Sequence, residues 1–158
     1  MSPPLSSGET AAKVCFGRDG GESQDIVLED LEYVAAYLRY TGQSAEGSAA
    51  LWTMPSGFDC EEWLVEVPGA GSVLVLAKHI NPRITSSVLL TDIADTIDGG
   101  VDASDEAKES ALIDCGTGGG MLGVTADPQN PAYNTEEYKA SRAKPEGIIV
   151  KIVKAPSS

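Results

Sequence analysis

The chain has 158 residues, enough for one domain with a buried core, and its 42% apolar and 22% charged residues are a globular rather than a disordered balance. Asp and Glu outnumber Lys and Arg by 24 to 11, and a net charge of -13 repels nucleic acid and anionic lipid while favouring a monomer over self-association. No apolar run approaches the roughly 20 residues of a membrane-spanning helix, so a membrane span is not expected.

The first ten residues, MSPPLSSGET, have neither a basic region nor an apolar stretch, so they read as a flexible tail with no signal peptide in view. A globular domain is expected over 11–155. Residues 11–17, AAKVCFG, suggest a short strand with Val14 and Phe16 flanking Cys15. Residues 28–40 carry the clearest helical pattern. Leu28, Leu31, Ala35 and Leu38 recur at spacings of three and four, Val34 widens the stripe, Glu29 and Asp30 suit the first turn, and Gly42 is the expected stop. A short strand is expected near Ala50–Thr53.

EWLVEV, PGAG and SVLVLAKHI, over 62–80, read as a β-hairpin. Trp63, Val65 and Val67 share one face, Leu64 and Glu66 the other, and Val73–Ala77, apolar on both faces, suits an interior strand. Residues 84–90 have period two and continue into a helix over about 91–98, with Thr91 as N-cap and Gly99 as stop. Residues 100–110 read as an acidic loop. ALIDC and MLGVTA read as strands joined by GTGGG, 128–146 as a long polar loop with a helical turn at 136–141, and EGIIVKIVK as the last strand. Strands and helices do not alternate strictly, so the expected class is α+β: a mostly antiparallel sheet with two helices packed on it.

The chemistry-bearing residues are few. A phosphate cradle needs a glycine turn that opens a helix. GTGGG leads instead into an apolar run, and glycine there serves a turn or bulge. Cys15, Cys60 and Cys115 admit three pairings, each leaving one thiol over, or three reduced core cysteines. His79 is the only histidine, so a nucleophilic cysteine would have to be Cys60 or Cys115 beside it, although its place at the end of AKHINPR reads as a surface or strand-end position. The acids Glu61–Glu62 and Glu136–Glu137 read as solvated charge. Asp98, Asp102, Asp105 and Glu106 are oxygen donors without EF-hand spacing, so no metal site and no cofactor is expected. Tyr33, Tyr37 and Tyr40 recur along the first helix, either as a tyrosine edge of the core or as a docking surface, and Trp52 and Trp63 read as core.

Three stretches, KVCFG, LLTDIADTI and ALIDCG, with FDCEEW more weakly, resemble small secreted fungal effectors of the necrosis-inducing host-cell-effector type and the killer-toxin-like α/β sandwiches. Those families carry four or more cysteines where this chain has three, and 126–146 has no counterpart in them. The resemblance implies a secreted, non-catalytic protein whose leader has been removed. It would act on a plant host, through a host protein or cell-surface component, by modulating defence or inducing cell death. It also implies a Cys15–Cys115 disulfide. The competing expectations are a small hydrolase using His79 with Cys60 or Cys115, and a small-ligand carrier.

Overall fold

The computed structural model describes residues 11–58 and 61–156, so the tail 1–10 and Cys60 lie outside the described residues. The sheet grows from β7 (Ile148–Lys154), whose β-branched run suits a strand buried on both faces: Ile148, Ile149, Val150 and Ile152 are all buried. β4 (Val73–His79) lies antiparallel along its whole length on one side, and β6 (Gly120–Gly123) on the other. β1 (Val14–Cys15) and β3 (Trp63–Leu64) are the edges, giving the order β1-β6-β7-β4-β3 with every pairing antiparallel.

Register assigns the two faces. Val73, Val75, Ala77, Ile148, Val150 and Ile152 point to one core, built against α1 (Leu28–Ser44) and α2 (Leu90–Asp98). α1 contributes Leu31, Val34, Ala35 and Leu38; α2 contributes Ile93, Ala94 and Ile97. Arg39 ties the helices together, reaching Asp98 at 2.8 and 2.9 Å and Asp95 at 2.8 Å. A separate two-stranded ribbon pairs β2 (Leu51–Met54) with β5 (Ser86–Leu89). The fold is α+β, a single compact domain with helices on an antiparallel sheet.

Several local expectations are corrected. α1 runs past Gly42 to Ser44, because that glycine faces the start of α2: a Cβ there would lie 3.0 Å from Thr91 Cγ2 and 3.2 Å from Leu90 Cβ. Leu28 lies off the buried stripe and is exposed. The N-cap of α2 is Leu89, not Thr91, while Gly99 does end it in the left-handed conformation at φ 89°. The acidic loop contains α3 (Asp105–Glu109), capped by Ser104 Oγ, which accepts from Ala107 N at 3.1 Å.

ALIDC is not a strand. Leu112–Gly118 form 3-10 turns broken at Gly116, where φ is 59°. GTGGG therefore does not join two strands of a hairpin. Its carbonyls at Thr117, Gly118 and Gly119 accept from Ile26, Gln24 and Phe16 N–H at 2.9, 2.9 and 3.0 Å.

The polar stretch after β6 is also more than a loop. Tyr133, in a 3-10 turn at Pro131–Tyr133, and Tyr138, in α4 (Glu136–Ser141), are buried against Ala50 and Leu89 as a second small core. The ring centroids of the two tyrosines are 5.3 Å apart, edge to face.

Candidate interaction surface

Of the side chains singled out for catalysis, Cys60 lies outside the described residues, and Cys115 and His79 are each engaged elsewhere. Cys115 is bonded to Cys15 across 100 positions of sequence, the pairing that the resemblance implies, and a disulfide sulfur offers no thiolate. His79 is not a surface residue: it is 1% exposed at the end of β4. Its Nε2 lies 2.8 Å from the Pro55 carbonyl, which only accepts, so that nitrogen carries the proton and donates. Its Nδ1 faces Ser86 Oγ at 3.5 Å. Both nitrogens are thus turned to protein in a buried structural role.

The acids are likewise engaged or apart. Asp98 is held by Arg39, and Glu62 pairs with Lys151 at 2.5 Å. Among the described residues no group of three or more His, Cys, Asp or Glu could hold a metal ion. Nor is any described helix long and apolar enough to cross a membrane.

A different site emerges where the first turns of α1 meet the β3–β4 hairpin loop. Asp30 accepts from Ser72 N–H at 2.9 Å and from Ser72 Oγ at 2.7 Å, and the backbone bond above all holds its carboxyl below the usual carboxylate range. Ser72 Oγ in turn accepts from Val27 N–H at 2.8 Å. The loop must bring its backbone against Asp30, so position 71 is glycine: φ is +61°, and a Cβ would lie 2.6 Å from Asp30 Oδ2. One turn further along α1, Tyr33 donates to the Pro68 carbonyl at 3.2 Å, and a Cβ on Gly69 would lie 3.6 Å from its hydroxyl.

The three tyrosines differ in their surroundings. Tyr37 packs against the core with its ring 6.2 Å from that of Tyr33. Tyr33 is 45% exposed and Tyr40 71% exposed. Past Pro68, which Tyr33 contacts, an open groove of about 250 Å³ runs along the hairpin, lined by Leu64, Val67, Pro68, Ala70 and Leu74 among others, with Glu66 at its wall. Leu64, 48% exposed, stands on the sheet face opposite the helices, and Val27 is exposed at the start of α1. Exposed apolar and aromatic surface rimmed by acids is the chemistry of a contact patch. Trp63, half-buried on the core face of β3, has Phe58 at 4.9 Å and Trp52 at 6.2 Å between ring centroids.

Sequence reasoning singled out the tyrosines but missed the groove. The signal for Leu64 was its place opposite Trp63 and Val65 in the alternation. What the linear sequence lacked was the packing of the hairpin loop on α1, nearly 40 positions earlier in the chain.

Comparison with protein-family models, with curated proteins and with solved structures gave no match to this chain.

Proposed function

We propose that this chain is a secreted, non-catalytic effector or elicitor that contacts a protein or cell-surface component of a plant host through the corner formed by Tyr33 and the hairpin groove, with exposed Tyr40 further along the same helix. The observation that carries the reading is this exposed aromatic and apolar corner on an acidic domain, fixed in place by the Asp30–Ser72 and Tyr33–Pro68 bonds. The Cys15–Cys115 disulfide suits an oxidising compartment outside the cell. The engagement of Cys115 and His79 in structural bonds supports a binding rather than a catalytic role. The plant-host direction rests on the resemblance of KVCFG, LLTDIADTI and ALIDCG to fungal effectors. The strong net charge supports action as a monomer.

The test is infiltration of purified protein into leaf tissue, with ion leakage as the measure of cell death. The Tyr33→Ala/Tyr40→Ala variant, checked for native near-ultraviolet circular dichroism, is expected to lose the response that the parent protein gives. A variant as active as the parent would remove the corner from the function. A parent protein that neither triggers leakage nor adheres to leaf cells would remove the host role.

A further inference from the structure

Among the described residues no strand pairs with the outer side of β3, which runs along the groove. The register pairs Trp63 with Ala77 and Leu64 with Leu76, and just past β3 Val65 N–H donates to the Val75 carbonyl at 2.9 Å. In such a ladder bonding alternates along the strand. The N–H and C=O of Leu64 therefore point away from β4 and off the sheet, and the backbone of Glu66, just past the strand, makes no hydrogen bond among the described residues. The opposite edge is different, since β1 runs on into a Phe16–Gly20 bridge. An edge whose main-chain donors and acceptors take no partner among the described residues, beside an apolar groove, has the geometry by which an extended segment adds to a sheet: main-chain bonds supply affinity and pockets for alternate side chains supply selectivity.

The charges select the occupant. Glu66 stands at the groove, Glu61 lies two positions before Trp63, and the chain as a whole carries -13. A second copy of this acidic chain is repelled there, and Pro68 closes the strand against longer self-pairing. An apolar segment flanked by Lys or Arg is complementary both to the groove and to its rim.

We infer that the outer edge of β3 takes up an extended, basic-flanked apolar segment of a partner protein as an added antiparallel strand, with its apolar side chains in the Leu64–Leu74 groove. The inference rests on the proposed binding role and names the chemistry of the partner.

The probe is a fluorescein-labelled peptide, Lys-Lys-Val-Thr-Val-Lys-Lys, titrated with the disulfide-intact full chain and read by fluorescence anisotropy. Saturable binding is expected, with at least a tenfold loss for the peptide in which Glu replaces every Lys. Two further peptides, N-methylated at the two alternating sets of backbone positions, examine the mode. Strand addition uses only one set of N–H groups, so one methylated peptide should bind like the parent and the other at least tenfold more weakly. Glu66→Lys protein with an unchanged urea midpoint should lose at least tenfold, and Glu66→Gln, which alters the site less, a smaller part of that. No binding of the parent peptide at millimolar protein, or equal binding of both methylated peptides, overturns the inference. Leaf-cell response without peptide binding defeats strand addition alone. Peptide binding without leaf-cell response defeats the host role and leaves the edge site standing.

Discussion

Removing the disulfide offers a worked test of the scaffold. Cys15 and Cys115 are 100 positions apart, and a cross-link over that span lowers the entropy of the unfolded chain by the equivalent of about 4.7 kcal/mol in the loop-closure treatment, with native disulfides in small domains measured at about 2–5 kcal/mol. Cys15 is buried in the inner row of the sheet, where register aligns it with Gly120 and Ile152, so its loss also loosens packing at the β1 edge. We therefore expect the Cys15→Ala/Cys115→Ala protein to be less stable by about 4 kcal/mol. With a urea slope of about 2 kcal/mol per molar, the unfolding midpoint should fall by about 2 M. Fluorescence of the half-buried Trp52 and Trp63 reports the transition. Parent protein in excess reductant should fall to a similar midpoint, and alkylation before and after reduction should reveal two additional thiols by mass. A midpoint that moves by less than a quarter of the expected amount, or three alkylated thiols in the native protein, would refute the cross-linked scaffold.

Other consequences follow from buried polar contacts and close approaches. Tyr133 Oη accepts from Leu89 N–H at 2.7 Å and donates to Asp92 Oδ2 at 2.5 Å. Tyr133→Phe strands both partners and should lower Tm by about 5–10 °C, while an unchanged Tm would mean that water replaces the hydroxyl at no cost. Burial pushes the Tyr138 pKa from 10.0 up to about 12, so between those values the unfolded chain has released a proton that the folded chain retains. The sign is therefore loss: stability from this group is complete below pH 10.0 and falls away as pH rises through about 12. Urea midpoints across that window should fall less steeply for Tyr138→Phe than for the parent, and equal slopes would contradict the assignment. A Cβ on Gly120 would collide with the Val14 carbonyl and lie 2.9 Å from Cys115 Sγ. Gly120→Ala should cost about 2–4 kcal/mol and make the disulfide faster to reduce, as followed by thiol release; parent-like kinetics would place the strain elsewhere.

The legible parts of the fold are those in which periodicity and punctuation agree. In β7, β-branched residues on both faces mark a buried strand, and the structure puts it at the centre of the sheet. The hairpin followed from EWLVEV, PGAG and SVLVLAKHI, and α4 covers the same 136–141 turn that the sequence suggests. The failures have a common cause: long-range contacts decided what local pattern could not. Gly42 carries the signature of a helix stop, but its missing side chain is used against Leu90 and Thr91, and the helix continues. ALIDC has strand-like composition, but Asp114 is drawn to Lys13 at 2.6 Å and Arg18 at 2.8 Å while Cys115 is bonded to Cys15, and the backbone tightens into 3-10 turns to meet both demands. Of the two readings for His79, surface or strand end, the strand end holds, and the surface reading fails because its covering groups, Pro55 and Ser86, come from the flanks of β2 and from β5. Of the candidate site, the tyrosine spacing was legible. The groove was not, since the alternation of the hairpin does not tell which of its apolar side chains other elements cover.

The disulfide and the contact corner sit at opposite edges of the sheet, yet they are mechanically connected. Cys115 fixes the start of the glycine run, and the carbonyls of Thr117 and Gly118 bind the N–H groups of Ile26 and Gln24. One residue further, Val27 N–H binds Ser72 Oγ, the same hydroxyl that donates to Asp30. The approach to α1 is thus held at one end by the cross-linked turns and at the other by the hairpin loop. β1, only two residues long, cannot secure that approach by pairing alone. Reduction should therefore release more than the β1 edge: the 24–27 segment loses its anchored partner, and with it goes part of what holds Ser72 against Asp30. The groove is then coupled to the redox state of a bond across the sheet through a short chain of backbone contacts. Hydrogen exchange should register that coupling as faster exchange at Ile26 and Val27 in reduced protein under conditions where β4 and β7 stay protected. If those two amides exchange no faster after reduction, the scaffold and the corner are independent, and the hairpin loop is held by α1 alone.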